Sequence, residues 1–514
     1  MRKFHHLPIF LRRFYKIIMS SLKVHNSYTR QKETFVPITP GYVGMYVCGP
    51  TVSGESHLGH GRGFITFDII FRYLMHLGYK VRYVRNITDA GHFEEEGREA
   101  EDKIAKKAFL EKLEPMELVQ KYTRLFHWGM KQFNNLDPTI EPTATGHIIE
   151  QIEMIKKLIS DGYAYEVNGS VYFEVKKYAE KYPYGKLSGR VLDELLETTR
   201  ELESQDEKHN RQDFALWKSA PPEHIQRWKS PWGEGFPGWH IECSAMSTKY
   251  LGEQFDIHGG GMDLMFPHHE SEIAQSTICN GQTPARYWLH NNMITINGKK
   301  MGKSYNNVIR LTELFSGDHP ELTQPYSPMT IRFFILQTHY RSTLDYSNEA
   351  LQAAEKGLKR LWEAYSELMK INYDPSKQVN KEIEEIFKTY CREFDEFMND
   401  DFNTAKVLAN MFSLVNHINS FKSGALEKNT LSVETLEYVK NQFKNYIEAI
   451  FGLKEETEAD SEKLNAVMEL LIDIRKEARS KKDYATSDKI RNQLIQLGII
   501  LKDEKDGRVS YTIE

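Results

Sequence analysis

The clearest pattern along the chain is a strand, a helix and a second strand near its beginning. An apolar run over residues 43–48 ends at a Gly-Pro pair, and bulky apolar residues then recur at helical spacing from Phe64 to Leu74. Because a second strand-like run follows over residues 80–85, the pattern predicts a βαβ unit with parallel strands. Ligands of such sheets bind at the carboxyl ends of the strands, so the segment 48–60 is predicted to lie at a ligand-binding edge.

This α/β pattern is interrupted and then resumes. Isoleucines at helical spacing over residues 148–159 are followed by a strand-like run at 170–175 and by polar, acidic sequence up to Arg211. Strand-like alternation returns at residues 255–257 and again at 293–296. We interpret the middle segment as an inserted subdomain that splits one α/β layer in two.

The pattern changes character after Tyr346. Long amphipathic helices with few strand signals predict a helical bundle, for example at Phe402, Leu408 and Phe412. An Asp506-Gly507 pair close to the end of the chain indicates a terminal hairpin.

Composition and charge exclude few functions. The formal net charge of −5 neither supports nor excludes a nucleic acid partner, because a basic face can coexist with an acidic remainder. No stretch approaches the roughly 18 uninterrupted apolar residues of a transmembrane helix, so no membrane span is predicted. The 4 cysteines are too few and too widely spaced for a disulfide framework, which favours a reducing compartment and predicts a cytoplasmic protein.

The start of the chain is a basic extension, residues 1–22, that we leave out of the fold interpretation. It superficially resembles an organelle presequence, with arginines and lysines but no acidic residue up to position 18, yet it lacks serine enrichment. The interpretation we favour is an upstream extension, with Met19 as the natural start.

Two short motifs suggest nucleotide chemistry. The tetrapeptide His57-Leu58-Gly59-His60 falls between the first predicted strand and its helix, where unpaired amides favour anions and two imidazoles could stabilise a transferring phosphoryl group. Alone, such a tetrapeptide is more often explained by capping or core histidines.

The second motif is the basic segment 299–304, which follows the strand-like run at 293–296. Gly298 and Gly302 enclose only three residues, one fewer than a P-loop requires, so a P-loop is not favoured. A solvated run of charge is the other interpretation when the segment is considered by itself.

A set of metal-ligand types is spread along the chain. His268 and Glu272 stand four residues apart in a segment with helical patterning, so one helix face can present both to the same point. Cys48 ends the first strand and Cys243 lies in the resumed layer, and all four types suit zinc. A simple helix-surface contact between His268 and Glu272 and a hydrolytic zinc site with an activated water are the alternatives.

The two motifs together resemble the HIGH and KMSKS signatures of class I aminoacyl-tRNA synthetases in order and separation. Longer blocks at residues 44–51, 238–246 and 255–270 resemble the cysteinyl-tRNA synthetase family. The resemblance runs from Val24 to about Tyr346 and is looser in the helical tail.

The resemblance implies a set of site residues. It implies a Zn²⁺ site at Cys48, Cys243, His268 and Glu272. It implies a cysteine pocket lined by Gly49, Thr51, Thr88, Trp239, His258 and Asp263. It implies ATP contacts at Gly59, His60, Met301, Lys303 and Ser304, with catalytic roles for His57, His60, Lys300 and Lys303. Without the family, the pocket residues would be interpreted as ordinary core, turn and capping residues.

The implied reaction uses L-cysteine, ATP with Mg²⁺ and cysteine tRNA, in a chain expected to be a monomer that does not bind a membrane. Glu272 is expected to be the loosest of the zinc ligands, because two thiolates and a carboxylate already outweigh the charge of the metal. Lysines and arginines of the tail are expected to contact the tRNA backbone: Arg475, Lys476, Arg479, Lys481, Lys482, Lys489 and Arg491.

Pattern and resemblance together predict a Rossmann-like α/β domain with a parallel sheet, split by an insertion and followed by an all-α bundle and a small α+β tail. The predicted segments are the extension 1–22, the first catalytic half 23–121, the inserted connective subdomain 122–235, the second catalytic half 236–325 with the zinc site and basic loop, the stem-contact region and anticodon-binding bundle 326–455, and the tail 456–514.

The chain departs from the family pattern at the basic loop, where Gly302 replaces a serine and Tyr305-Asn306 replaces a Leu-Gly pair. Two other functions remain open at this point. One is a related ligase that joins cysteine to an amino sugar, which should lack an anticodon-reading tail. The other is a non-enzymatic RNA-binding role, which would need degenerate nucleotide motifs.

Overall fold

The computed structural model describes residues 22–91, 104, 107–108, 113–190, 207–221, 224–302, 305–422, 429–456, 458–496, 499–503 and 509–513. The chain divides into two compact units, Met1–Leu453 and Lys454–Glu514. We describe each unit by itself. In the described part of the chain, no helix is long and apolar enough to cross a membrane.

The strands of the first unit are short. They are β1 Lys23–Asn26, β2 Gln31–Thr34, β3 Tyr42–Val47, β4 Lys80–Arg85, β5 Ala164–Val167, β6 Ser170–Phe173, β7 Phe214–Ser219, β8 Trp228–Ser230, β9 Gly233–Pro237, β10 Phe255–Gly261, β11 Ala285–Asn291, β12 Ile294–Ile296, β13 Lys299–Lys300, β14 Leu344–Tyr346, β15 Gln378–Val379 and β16 Asn429–Thr430.

The α-helices of this unit whose bounds the structure describes are between 5 and 23 residues long. They are α1 Leu58–His76, α2 Pro115–Gln132, α3 Ile148–Ser160, α4 Val175–Ala179, α5 Trp239–Leu251, α6 Glu270–Asn280, α7 Leu311–Ser316, α8 Pro328–Leu336, α9 Asn348–Lys370, α10 Lys381–Asn399, α11 Thr404–Lys422 and α12 Val433–Lys444. Short 3₁₀ turns at Thr145–His147 and Met262–Leu264 and π-helical segments at Met265–His269 and Asn445–Ile450 complete the set.

A four-stranded parallel sheet forms the centre of the first unit. Its order is β11-β10-β3-β4, and the predicted β3-α1-β4 unit is confirmed, with Val43 opposite Val81 and Val47 opposite Arg85. Apolar side chains of β3 and of α1, such as Met45 and Ile70, are buried in one shared hydrophobic core. The carboxyl ends of β3 and β10 therefore lie side by side, although nearly the whole inserted segment separates them in sequence.

The middle of the chain forms a separate antiparallel sheet of five strands in the order β5-β6-β7-β9-β8. Its apolar face, with Phe173 and Trp217, packs with Ile155 of α3 into a core distinct from that around the parallel sheet. Helix α3 occurs where the isoleucine spacing predicts it. The strand predicted over residues 170–175 ends at Phe173, and helix α4 begins at Val175.

Helices α9 to α12 form the predicted bundle. On α9, Leu351, Leu358, Leu361 and Leu368 recur at helical spacing and are all buried. Ser347 caps the start of this helix by accepting a hydrogen bond from the amide of Ala350. The amphipathic pattern thus specifies both the helix and the face that it buries.

A buried charge cluster joins the bundle to the parallel-sheet layer. Asp68 on α1 accepts hydrogen bonds from Arg72 Nε at 2.7 Å, from Arg332 and, at 2.8 Å, from the amide of Leu136. Arg332 also donates to the carbonyl of Phe451, and Arg72 to that of Ala449, at the end of the bundle. Burial lowers the pKa of Arg332, so this cation depends on the Asp68 carboxylate for compensation.

The second unit contains two helices, α13 Glu458–Ser480 and α14 Tyr484–Gln496, followed by the antiparallel strands β17 Ile499–Asp503 and β18 Val509–Ile513. The pairing confirms the predicted terminal hairpin, while Asp506-Gly507 lies outside the described residues. Of the basic residues expected to contact tRNA, Arg475 is buried within this unit, which does not suit a contact with RNA. The other members of that set are exposed.

Candidate active site

The first motif forms the start of helix α1. His57 is the N-cap, its Nδ1 accepts a hydrogen bond from the amide of Gly59 at 3.2 Å, and His60 Nδ1 accepts one from the amide of His57 at 3.2 Å. The two half-buried rings stack with their centroids 3.9 Å apart. Since both Nδ1 atoms accept, the neutral rings carry their protons on Nε2. The capping interpretation is therefore correct, and it places one Nε2–H group on each of the two stacked rings.

The basic loop begins as a hairpin. Strands β12 and β13 pair across Asn297 and Gly298, whose φ angles of 50° and 74° suit a tight two-residue turn. Beyond it, the side chain of Asn307 donates to the carbonyl of Lys300 at 3.1 Å and accepts from the amide of Gly302 at 2.9 Å. Lys300 is exposed, whereas Lys303 and Ser304 lie outside the described residues.

The two motifs are in contact. A Cβ at Gly59 would lie 3.0 Å from Met301 Cε and 3.0 Å from His57 Cε1, so a larger residue would press on both neighbours. The chain after the loop then pairs with the segment that leads into helix α1, with Leu58 N donating to Ile309 O and Leu311 N to Ser56 O. The histidine motif and the basic loop thus share one edge of the sheet.

Four buried donor atoms meet behind this edge. Cys48 follows strand β3, Cys243 lies in α5, His268 lies in the π-helical segment, and Glu272 lies in the first turn of α6. Their donor atoms all lie within 4.8 Å of one another. The sequence prediction that these four residues come together is met by this geometry, and the expected contact of His268 with Glu272 spans 3.2 Å from Nε2 to Oε1.

Three of the distances between the donor atoms fit a tetrahedral zinc ion. Bond lengths of about 2.3 Å to sulfur and 2.0–2.1 Å to nitrogen or oxygen give edges of roughly 3.8 Å between two sulfurs, 3.6 Å from sulfur to oxygen and 3.3 Å from nitrogen to oxygen. Between Cys48 and Cys243 the sulfurs are 3.9 Å apart, and Cys48 Sγ is 3.7 Å from Glu272 Oε1. With the 3.2 Å nitrogen–oxygen distance, all three measured edges fit.

The electrostatics of the cluster agree with a cation site. Burial raises the pKa of the Cys48 thiol well above its ordinary value, with Cys243 and Glu272 adding to the shift. Burial likewise raises the pKa of the Glu272 carboxyl well above its usual range. Such groups ionise together in an interior only when a positive charge stands among them, and soft thiolates with an imidazole and a carboxylate are ligand types of zinc.

Further histidines hold the candidate ligands in place. His258 Nε2 lies 2.9 Å from Glu272 Oε2, and His240 Nδ1 lies 3.0 Å from His268 Nδ1. Burial lowers the pKa of His258 to about 3, so this ring is a neutral donor to the carboxylate. His258 was expected to line the substrate pocket; here it is fully buried behind Glu272 and stacks on Trp288.

The other predicted pocket residues occupy different depths. Trp239 is half-buried and lies against the ring of His268, with the ring centroids 4.4 Å apart. Thr51 bridges to Thr88 between the ends of β3 and β4, and the buried Thr88 hydroxyl donates to Glu242 Oε2 at 3.0 Å. Asp263 is exposed at the end of β10.

Gly49 is required by a close approach of two backbone segments. Its amide donates to Asn86 Oδ1 at 2.9 Å, and a Cβ here would lie 1.5 Å from the carbonyl oxygen of Asn86. Asn86 Nδ2 in turn donates to the Thr88 hydroxyl at 3.1 Å, and its Oδ1 lies 3.7 Å from Cys243 Sγ. Sequence reasoning missed Asn86, because a single asparagine after a strand carries no local signal.

Sequence reasoning also missed His269. Its Nε2 lies 3.3 Å from Cys48 Sγ, and with Cys48, His258 and Glu272 it forms a second group of donors within 4.8 Å of one another. His269 directly follows His268 and stands three residues before Glu272. The helical-spacing argument that linked His268 to Glu272 would therefore have included His269 as well. Among the described residues these two groups, which share Cys48 and Glu272, are the candidate metal sites.

Comparison with known proteins agrees with this geometry. Residues 34–356 match the tRNA synthetases class I (C) catalytic domain, and residues 393–455 match the DALR domain. The chain is 58% identical over 489 residues to a cysteine–tRNA ligase of Bacteroides fragilis, and 55% identical over 489 residues to one of Porphyromonas gingivalis. Each alignment covers 95% of this chain and 98% of the relative.

Solved structures show the same fold at low sequence identity. A Mycobacterium tuberculosis methionyl-tRNA synthetase in complex with methionyl-adenylate has a TM-score of 0.55 at 13% identity, covering 80% of this chain and 89% of that one. Thermus thermophilus arginyl-tRNA synthetase has a TM-score of 0.50 at 12% identity, covering 81% and 82%. The Rossmann-like α/β fold predicted from the sequence is confirmed.

Proposed function

Because this chain belongs to the cysteine–tRNA ligase family of class I tRNA synthetases, we propose that it activates L-cysteine with ATP and transfers the cysteinyl group to the 3′ end of cysteine tRNA. The chain is a ligase that uses ATP. The observation that carries the choice of amino acid is the group of four buried donors, Cys48, Cys243, His268 and Glu272, whose donor atoms all lie within 4.8 Å of one another.

These four residues would hold one zinc ion. A zinc ion bound there would take the thiolate of cysteine as a further ligand and has no comparable partner in serine, whose alkoxide is far harder to form near neutral pH. Pocket shape alone separates such similar substrates by only about 1–3 kcal/mol, so a required polar contact is needed for strong discrimination. Glu272, which His258 also engages, is the ligand proposed to loosen when the substrate binds.

In the activation step the cysteine carboxylate attacks the α-phosphate of magnesium-bound ATP and pyrophosphate leaves. His57 and His60 donate Nε2–H groups to the phosphate oxygens, where negative charge develops in the transition state. The positive end of helix α1 adds to this stabilisation. Lys300 and Lys303 of the basic loop are assigned the remaining phosphate contacts, and Gly59, Met301 and Ser304 are assigned to the ATP site.

Around the amino acid, Gly49, Thr51, Thr88, Trp239 and Asp263 are proposed to form the pocket, while His258 acts through Glu272. Asp263, as the exposed carboxylate at the edge of the sheet, suits the substrate ammonium group. The proposal also includes a monomeric state, a cytoplasmic location and the segment boundaries predicted from the sequence.

In the transfer step the cysteinyl group passes to the terminal ribose of tRNA. The bundle region and the second unit are proposed to bind the rest of that RNA. Lys476, Arg479, Lys482, Lys489 and Arg491 are exposed on the second unit and suit phosphate contacts. The alternative ligase with an amino-sugar acceptor is not favoured, since relatives named cysteine–tRNA ligase align over nearly their full length and a DALR domain match follows the catalytic region.

One pair of assays tests the proposed function. Amino-acid-dependent exchange of pyrophosphate into ATP is expected with cysteine and not with serine or any other standard amino acid, and purified enzyme is expected to contain one zinc ion per chain. Charging of cysteine tRNA is then expected. Exchange with cysteine but no charging would identify the amino-sugar ligase instead, and zinc-dependent hydrolysis indifferent to ATP would overturn the proposal.

His57 offers a substitution that separates chemistry from folding. Asparagine is a preferred N-cap residue, so His57→Asn retains an acceptor for the amide of Gly59 but removes the Nε2–H. We expect kcat for pyrophosphate exchange to fall by about 10²–10³-fold, with little change in the KM for cysteine.

The companion variant His57→Ala also loses the cap. It should lose activity to the same extent and should in addition be less stable by about 1 kcal/mol. A His57→Asn enzyme that keeps more than a tenth of the wild-type kcat would show that this ring does not contact the reacting phosphate.

A further inference from the structure

A continuous chain of hydrogen bonds leads from the candidate ligand Cys48 to the β1–β2 hairpin. Cys48 Sγ is 3.3 Å from His269 Nε2, and His269 Nδ1 is 2.8 Å from His290 Nε2. His290 Nδ1 is 2.9 Å from the hydroxyl oxygen of Ser27. Both rings are buried, and Ser27 is half-buried. The chain involves neither Cys243 nor His268, the two ligands on the other side of the site.

The chemistry of its inner end sets the direction of this chain. A cysteine that binds a metal does so as a thiolate, and a thiolate sulfur only accepts hydrogen bonds. His269 must then carry its proton on Nε2, which leaves Nδ1 as an acceptor for His290 Nε2–H. His290 Nδ1 accepts in turn from the Ser27 hydroxyl. Each group donates once toward Cys48, so one tautomer of each ring satisfies every contact.

Packing keeps the chain in this arrangement. The indole of Trp288, on the same strand as His290, lies parallel to the His290 ring with an interplanar angle of 8°. His269 lies against the same indole, with centroids 5.3 Å apart. The amide of Ser27 also donates to the Trp288 carbonyl at 2.8 Å, which ties the outer end of the chain to the strand.

The two cysteines have different polar neighbours. Cys48 Sγ faces a ring N–H, whereas Cys243 Sγ faces Asn86 Oδ1 at 3.7 Å. The orientation of that amide follows from its other bonds, since Asn86 Oδ1 accepts from Gly49 and Nδ2 donates to Thr88. The oxygen facing Cys243 is an acceptor, and another polar group that interacts with this cysteine is the buried hydroxyl of Tyr46.

We propose that His269 is a positioning residue that tunes the affinity of the metal for the substrate thiol, by donating a hydrogen bond to the Cys48 thiolate under the control of His290 and Ser27. This inference rests on the proposed function. A ligand set with two thiolates and a carboxylate exceeds the charge of zinc before substrate arrives. A hydrogen bond to one thiolate reduces its donation to the metal, which favours binding of a third.

The test uses the full-length enzyme with cobalt(II) in place of zinc. In His269→Ala the sulfur-to-cobalt charge-transfer band is expected to move to lower energy, because the thiolate becomes more electron-rich. The visible bands of the tetrahedral ion should keep their intensity. For the zinc enzyme, the KM for cysteine in pyrophosphate exchange is expected to rise about tenfold, with kcat changed less than twofold.

Two further variants keep the result decisive if His269→Ala folds poorly. Glutamine can place an N–H near the position of His269 Nε2, so His269→Gln should restore most of the wild-type band energy and KM. Ser27→Ala, at the outer end, should shift both in the same direction as His269→Ala but less. His76→Gln, which alters a histidine bonded to Asp395 and Asn445 in the bundle, is the control and should change neither.

Three outcomes would overturn the inference. Unchanged band energy and KM in His269→Ala would show that the hydrogen bond has no influence on the metal. Collapse of the tetrahedral bands would make His269 a ligand itself, as in the second donor group. If His269→Gln changes the band energy and the KM as much as His269→Ala does, the N–H group at this position has no role. If wild-type enzyme binds no zinc or fails to exchange with cysteine, the proposed function fails, and the variants are not needed to show it.

Discussion

Replacing Cys243 by alanine is expected to abolish zinc binding and the selection of cysteine. The sulfur of Cys243 is one of four buried donors and lies 3.9 Å from Cys48 Sγ, so its loss leaves three ligands and an interior in which Cys48 and Glu272 favour their neutral forms. Cysteine-dependent pyrophosphate exchange should fall on the order of 10³-fold, beyond the 10–100-fold typical of residues around the ligands. Discrimination against serine should fall from on the order of 10⁴ to about 10² or less.

The measurements are zinc per chain by atomic emission and exchange rates with cysteine and with serine. Cys279→Ala is the matched control, since this thiol is partly buried on helix α6 but contacts only the carbonyl of Met154 among the hydrogen bonds described. It should retain zinc and full selectivity. A Cys243→Ala enzyme that still prefers cysteine as strongly as wild type would refute the assignment of the metal site.

The second large effect is expected on stability. Asp68→Asn removes the carboxylate that pairs with both Arg72 and Arg332, and it leaves two buried guanidinium groups without that compensation. The free energy of unfolding is expected to fall by about 3–5 kcal/mol, as when one partner of a buried ion pair is removed. Denaturation by urea, followed by circular dichroism, measures this as a lower transition midpoint.

The effect should be largest where the cluster joins the bundle. Arg332 and Arg72 hold the carbonyls of Phe451 and Ala449, so hydrogen exchange is expected to accelerate first around residues 445–453. Asp161→Asn is the control, because Asp161 also pairs with a cation four residues away, Lys157, but on the surface. Asp161→Asn should change the urea midpoint little, because ion pairs on the surface contribute little to stability. Equal midpoints for the two variants would show that Asp68 is not a stabilising counter-charge.

The periodicity of the chain was enough to predict the first βαβ unit. The run over residues 43–48, the helical spacing from Phe64 to Leu74 and the run over 80–85 became β3, α1 and β4 with parallel pairing. These elements are predictable because each has one apolar face or is buried on both faces. The buried positions then recur along the sequence with the repeat of the helix or strand. The boundary at Phe173 was missed, since two strand residues and two helix residues look alike in so short a run.

The burial of single polar residues was much harder to predict. Arg475 belongs to a basic stretch of helix α13 yet is buried, and Asp68, Arg72 and Arg332 form an interior cluster from three distant positions. A charged residue is usually exposed, so pattern reasoning assigns it to the surface. Only the neighbours supplied by other elements decide whether an interior partner exists.

By itself, the sequence determined the class of fold, the two nucleotide motifs and the types of side chain that can bind a soft metal. The tertiary structure decided which of those side chains meet. Cys48 follows β3 and Cys243 lies in α5, and tertiary packing brings their sulfurs within 3.9 Å of each other. The tertiary structure also placed two histidines at the site. His258 lies against the Glu272 carboxylate, and His269 faces the sulfur of Cys48. Distances of 3–4 Å between residues remote in sequence follow from packing, and local spacing carries no record of them.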